Sequence, residues 1–345
     1  MVRTRASSFA VIAAVVLGLG VVACKKKDEK AGAPADKTAE QKGGNAVTKP
    51  ALMVGGDDLS LLPSDSDVVL GLNFEQLSKS ALWKQYSPKL MEKAAAGLAD
   101  FKAMCGFDPI EKFKSVSMGL KGVDGGGKTP EGAVVVHGLE KAQTMGCLEK
   151  GKAKLAEKGS EVTIDGDMFT IKSKGGETTA FTFINNDTMF GVMGPTASKD
   201  TLIAAAKGTA GLKSSQTFTE MYSKIDTKQS LWFLVNGNAS FMQKASLPGA
   251  KPKAIFGSLN VSDGLTLDVR MRMASPDEAK AFVDMSKGQT SSPQVKQMLD
   301  KLEVTQDAAD AKISVAMSQK KLENLLAMVG GMMGGMMGGG GMGGP

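Results

Sequence analysis

Apolar positions along this chain change their period again and again. Asp67-Val68-Val69-Leu70-Gly71-Leu72-Asn73 is a compact run of strand length. Behind it, Leu77, Ala81 and Leu82 form one helical stripe. Ser87-Pro88 interrupts that stripe, and Leu90, Ala94, Leu98 and Phe101 resume it at spacings of four and three. The strand-then-helix unit recurs. Ala133-Val134-Val135-Val136-His137 leads into a helix through Ala142, Met145, Leu148 and Leu155. Thr188-Met189-Phe190-Gly191-Val192-Met193 leads into Leu202, Ile203 and Ala206. Leu231-Trp232-Phe233-Leu234-Val235 leads into Ala239 to Ala245. Ile313-Ser314-Val315-Ala316-Met317 leads into Leu322, Leu325, Leu326 and Val329.

Most of these strands have a partner just upstream. Asp165-Gly166 separates Val162-Thr163-Ile164 from Met168-Phe169-Thr170-Ile171. Asp263-Gly264 does the same between Asn260-Val261 and Leu265-Thr266-Leu267. Asp-Gly between alternating runs is a hairpin signal, because both turn residues tolerate positive φ. Asn185-Asn186-Asp187 is a third such turn. Ser275-Pro276-Asp277-Glu278 predicts a helix start: a hydroxyl cap, a proline in the first turn, then acids at the positive end of the dipole.

The pattern predicts an α+β fold: antiparallel β-hairpins alternating with helices, packed on one sheet face and arranged as two related halves. The expected organisation is a leader over residues 1–23, a disordered tether over 24–56, one α+β lobe over 57–210, a second over 211–329, and a disordered Gly/Met-rich tail over 330–345. The first half carries an extra hairpin. The tether is rich in Lys, Ala, Gly, Glu and Pro, which bury too little apolar surface to offset the entropy of ordering.

The leader runs from Arg3 and Arg5 into an apolar stretch from Phe9 to Ala23, shorter than the ~20 residues that span a bilayer. Val21-Val22-Ala23-Cys24 ends it, and Lys25-Lys26-Lys27 follows. Val21-Val22-Ala23-Cys24 resembles the lipobox of bacterial lipoproteins. That resemblance implies a diacylglycerol on Cys24, cleavage before it and acylation of the new amine. Lys25 after the cysteine implies sorting to the outer membrane of a Gram-negative cell, on its periplasmic face or the cell surface. Two or more acyl chains anchor stably where one does not. Lys25 to Lys27 would add about 1 kcal/mol each against anionic headgroups.

Of the formal charge of +6, the leader holds two, leaving +4 on the mature chain. Aromatics make up only 5% and the Lys and Glu are scattered, whereas base-stacking platforms need aromatics beside basic residues, so neither nucleic acid nor nucleotide is an expected partner. With Cys24 assigned to lipid, Cys105 and Cys147 remain, and in an oxidising compartment they read as a disulfide. The alternative is two separate buried thiols.

Gly122-Val123-Asp124-Gly125-Gly126-Gly127-Lys128-Thr129 matches the phosphate-loop pattern letter for letter, but a β-branched run follows where a helix is needed. It therefore reads as a hairpin loop. His137 is the single histidine, so a zinc site or a catalytic triad is hard to build. Asp57-Asp58 and Asp65-Ser66-Asp67 lack calcium-loop spacing and read as turn and helix caps. The Met pairs of the tail resemble the Gly-Met tail of chaperonin subunits in composition only. Their thioethers are soft Cu(I) ligands.

These features lead to a non-enzymatic, membrane-anchored lipoprotein, an interaction or solute-binding module with no catalytic residue, cofactor or metal site. The expected partners are the bilayer, through Cys24, and an envelope protein or small solute. The strand–helix pattern, with Cys105-Gly106-Phe107-Asp108-Pro109 before a strand and Cys147 in the next helix, is similar to uncharacterised lipoproteins of Gram-negative bacteria. Periplasmic copper handling through the tail, and an enzyme with an unrecognised site, stay open as alternatives.

Overall fold

A computed structural model describes residues 57–123, 129–209, 211–244, 251–290 and 292–327. The expected leader, Cys24, the tether and the Met-rich tail lie outside the described residues. Among the described residues the chain runs α1 (Asp58–Leu61), β1 (Val68–Asn73), α2 (Phe74–Lys79), α3 (Ala81–Met91), a 3-10 turn (Glu92–Ala94), α4 (Ala95–Cys105), α5 (Pro109–Lys112), β2 (Ser115–Lys121) and β3 (Glu131–His137). Then come α6 (Lys141–Glu157), β4 (Glu161–Asp165), β5 (Met168–Lys172), β6 (Thr178–Phe183), β7 (Thr188–Gly194), α7 (Lys199–Ala206), a 3-10 turn (Leu212–Ser214) and α8 (Gln216–Tyr222). The rest is β8 (Leu231–Asn236), α9 (Ser240–Lys244), β9 (Ala254–Val261), β10 (Gly264–Arg272), α10 (Pro276–Thr290), α11 (Pro293–Met298), β11 (Lys301–Asp307), β12 (Asp310–Ser318) and α12 (319–327).

All these strands join one antiparallel sheet of twelve, in the order β11-β12-β10-β9-β8-β1-β2-β3-β7-β6-β5-β4. The Asp-Gly turns close β4–β5 and β9–β10 as their residue types require. Ser275 accepts from the Glu278 amide at the start of α10. Helices pack on both faces, not on one. The reason is in β3: Ala133 to Val136 are all buried, so successive side chains on opposite faces both need cover. On the front face α1, α7 and α8 bring Leu59, Leu202 and Phe218 against Val69, Val135, Phe190 and Phe256. On the back face Phe74 of α2 and Leu148 of α6 meet Val116, Val134, Val136 and Phe181. Each such large side chain contributes about 1.5–3 kcal/mol by leaving water.

Two local details depart from the simple pattern. α3 continues through Pro88 to Met91, and the break falls at the following 3-10 turn. Proline lacks one amide, yet near a helix end it removes a single bond while the flanking turns hold. Gly71 sits mid-strand, where glycine ordinarily weakens pairing. Here its partner is Trp232, whose indole would lie 2.0 Å from any Cβ at position 71. The missing side chain is the space the indole occupies.

Candidate functional site

The two remaining cysteines are brought together. Cys105 ends α4, Cys147 lies in α6, and their sulfurs are at bonding distance with Cα atoms 4.6 Å apart. Phe101 and Phe107 pack around Cys147 in a small cluster of their own. Gly106 makes the approach possible: it caps α4 at φ 78°, a left-handed conformation, and its amide donates to the Lys102 carbonyl.

The phosphate-loop look-alike joins β2 to β3. Its first two amides, Gly122 and Val123, both donate to Asp67 Oδ2, at 2.7 and 3.3 Å. A carboxylate of this chain therefore occupies these two amides. Residues 124–128 lie outside the described residues. Asp57 caps α1, accepting from the Leu59 amide, in agreement with its reading as a cap.

Asp58 does something the sequence did not announce. His137 ends β3 and presents Nε2 to Asp58 Oδ1 at 2.9 Å, while its Nδ1 lies 3.1 Å from Thr188 Oγ1. The hydrogen bond from Asp58 raises the His137 pKa, against the opposing effect of burial. Burial pushes Asp58 up, but the bond and charge of His137 outweigh it and hold the carboxyl low. A charged imidazole donates from both nitrogens, and the Thr188 hydroxyl in turn donates a hydrogen bond to Asp187 Oδ1 at 3.3 Å. The sequence of groups resembles an acyl-transfer relay. However, Thr188 is buried at 6% exposure and both ring nitrogens are already engaged. This is an ionic clamp holding α1 on the sheet. It borders a groove of about 650 Å³ with Glu75, Lys114 and Tyr222 on its walls.

The clamp predicts a pH response. His137 has a folded pKa above its unfolded value near 6.5, so its contribution is fully present below that value and fades as pH rises through the folded pKa. Chemical denaturation at pH 6 and pH 8 should show lower stability at pH 8. A His137→Gln variant should lose most of that difference, and an unchanged difference would remove the clamp from the explanation.

A second ionic cluster ties α8 to the far half of the sheet. Asp310 opens β12 and is 0% exposed. Its register partner Arg272 donates through Nε to Oδ1, and Lys224, just past the end of α8, donates to Oδ2 at 2.9 Å. Arg272 also reaches Glu220 Oε1 at 2.9 Å and lies over the Phe256 ring. Arg270 pairs with Asp307 next to it. Burial pushes Asp310 up, but Arg272 and Lys224 outweigh it and keep the carboxylate ionised.

Behind this cluster, the back face of β8–β12 is apolar and incompletely covered. One row perpendicular to the strands reads Leu302, Val315, Leu267, Leu259 and Leu231. Every member is half-buried and none belongs to a buried cluster. On one side of the row, Met271 of β10 meets Ala279 and Val283 of α10. On the other, Met317 meets Leu82 of α3 and Leu322 of α12. Among the described residues the helices thus grip the two ends of the strands and leave the middle row only partly covered. Met285 of α10, Met298 of α11 and Leu326 of α12 are exposed at 48, 46 and 39% on helices that border it.

Among the described residues no helix is long and apolar enough to cross a membrane, and no group of three His, Cys, Asp or Glu side chains could hold a metal ion. No family model matches the chain. No curated protein matches it either. Among solved structures, crystal form IV of TP0453 is similar at 10% identity and a TM-score of 0.48, covering 78% of this chain and 95% of that one.

Proposed function

We propose that this chain is a non-enzymatic lipoprotein, anchored through Cys24 at the outer membrane, that holds a hydrocarbon ligand against the back face of β8–β12. The observation that carries the ligand is the five-strand row from Leu302 to Leu231. Its side chains offer no donor or acceptor. A polar group pressed onto them would lose its water partners without return, at about 1–3 kcal/mol. An acyl chain meets the opposite balance and gains about 0.8 kcal/mol per buried CH₂.

The same reading takes the body as two related halves meeting at the β1–β8 pair. Leaving out the β4–β5 hairpin, the order outward from the centre is β1-β2-β3-β7-β6 on one side and β8-β9-β10-β12-β11 on the other. Polar residues support the match. His137 at the end of β3 pairs in register with Thr188, and Arg272 at the end of β10 pairs in register with Asp310. Each base also takes an acid from the short helix that precedes its half, Asp58 or Glu220.

The test uses the mature chain with Cys24→Ser, so that it stays in solution, titrated into N-phenyl-1-naphthylamine. Saturable fluorescence enhancement is expected, and Leu259→Gln with Leu267→Gln should weaken it about tenfold, near 1.4 kcal/mol. Equal binding by the two proteins would sink the ligand reading. In cells, palmitate should label the parent and not the Cys24→Ser protein.

A further inference from the structure

The partly covered row lies on the strand face against which the last described helix packs. α12 packs Leu322 and Leu325 against Met317, Val261 and Leu265, at one end of the same strand face. The next residue, Met328, opens an 18-residue stretch, 328–345, with six methionines and no charged side chain. Those residues lie outside the described residues. We infer that residues 328–345 are an internal occupant of the back face, laying thioether side chains over the row from Leu302 to Leu231. This rests on the reading of that face as a hydrocarbon site.

The dimensions allow it. Four strand spacings separate β11 from β8, about 19 Å at ~4.8 Å each. Eighteen residues extend to about 60 Å, enough to cross the face and return. The chemistry suits it as well. Methionine is unbranched and polarizable, and it fills irregular apolar surface without one fixed geometry. The paired methionines are separated by glycines, so backbone can lie close to the sheet between anchors. Met285, Met298 and Leu326 supply exposed apolar edges on the route. Tail and ligand then compete for one surface, and the apparent affinity for ligand falls with the fraction of open molecules.

The experiment compares three proteins, all carrying Cys24→Ser: the full mature chain, a chain ending at Ala327, and the full chain with Met332, Met333, Met336 and Met337 changed to Gln. The probe is N-phenyl-1-naphthylamine. Truncation should tighten binding about tenfold, and the four-Gln chain should do the same. In parallel, a photo-cross-linking residue at position 333 of the full chain is mapped by mass spectrometry, with expected products on β9, β10 or β12. Binding that is equal in all three proteins, yet weakened by Leu259→Gln with Leu267→Gln, overturns the tail and leaves the hydrocarbon site standing. Probe binding to none of them fails the hydrocarbon site, and cross-links then decide the tail alone. Cross-links confined to the tail itself, or to a second copy, overturn the inference in every case.

Discussion

Replacing Asp310 by alanine is expected to lower folding stability by about 3–5 kcal/mol, the range for removing one partner from a buried ion pair. The carboxylate is fully buried and neutralises two cations, Arg272 of β10 and Lys224 in the turn that follows α8. Removing it leaves Arg272 to Glu220 alone, and Glu220 is half exposed, so screening weakens that partner. Changing Asp310 to Asn keeps the shape and isolates the charge. Guanidinium unfolding at neutral pH measures both variants. The pH dependence has a definite sign. Asp310 is held below its ordinary value, so its contribution is present above the unfolded pKa near 3.9 and is lost as pH falls through the folded pKa. The parent should therefore weaken steeply in acid, and the Asn variant less so. A loss under 1 kcal/mol for both variants would mean that α8 is held by its apolar contacts alone.

The second large effect is expected at the Cys105–Cys147 pair. The two positions are 42 residues apart, and on chain entropy alone closing that loop stabilises by about 4 kcal/mol. Cys105→Ala with Cys147→Ala should lower the unfolding midpoint accordingly, and a reductant should lower the parent by a somewhat smaller amount, since the thiols keep their packing. Part of the loss belongs to packing, since Cys147 is 2% exposed beside Phe101 and Phe107. Mass mapping without reductant should recover one bridged peptide pair. Two free thiols would end this prediction and leave both side chains as small buried hydrophobes.

Local chemistry made the elements readable. The run at Val134-Val135-Val136 read as a strand, and its lack of alternation is what required cover on both faces. Asp165-Gly166 and Asp263-Gly264 marked hairpins because the turn dictates its residues. Apart from the cysteines, polar pairings between distant residues were not readable. His137 and Asp58 are 79 positions apart, and nothing near either one names the other. Asp310 left a fainter trace. Arg270 and Arg272 are the only arginines after the leader, among many lysines. Arginine's planar fork suits a buried carboxylate better than lysine does, so that pair could have flagged an ionic centre. The partly covered row escaped because apolar periodicity reports which side chains leave water, not how fully a helix covers them.

The seam between β1 and β8 has a consequence for biogenesis. β1 ends at Asn73, but its outer neighbour begins only at Leu231. A polypeptide that emerges from its amino end must wait for more than 150 further residues before that rim is paired. Until then β1 shows a ribbon of bare amides and carbonyls, which pair readily with other nascent chains. A proteolytic nick between Leu212 and Leu231 should leave the two fragments clasped, because five cross-strand residue pairs hold the seam shut.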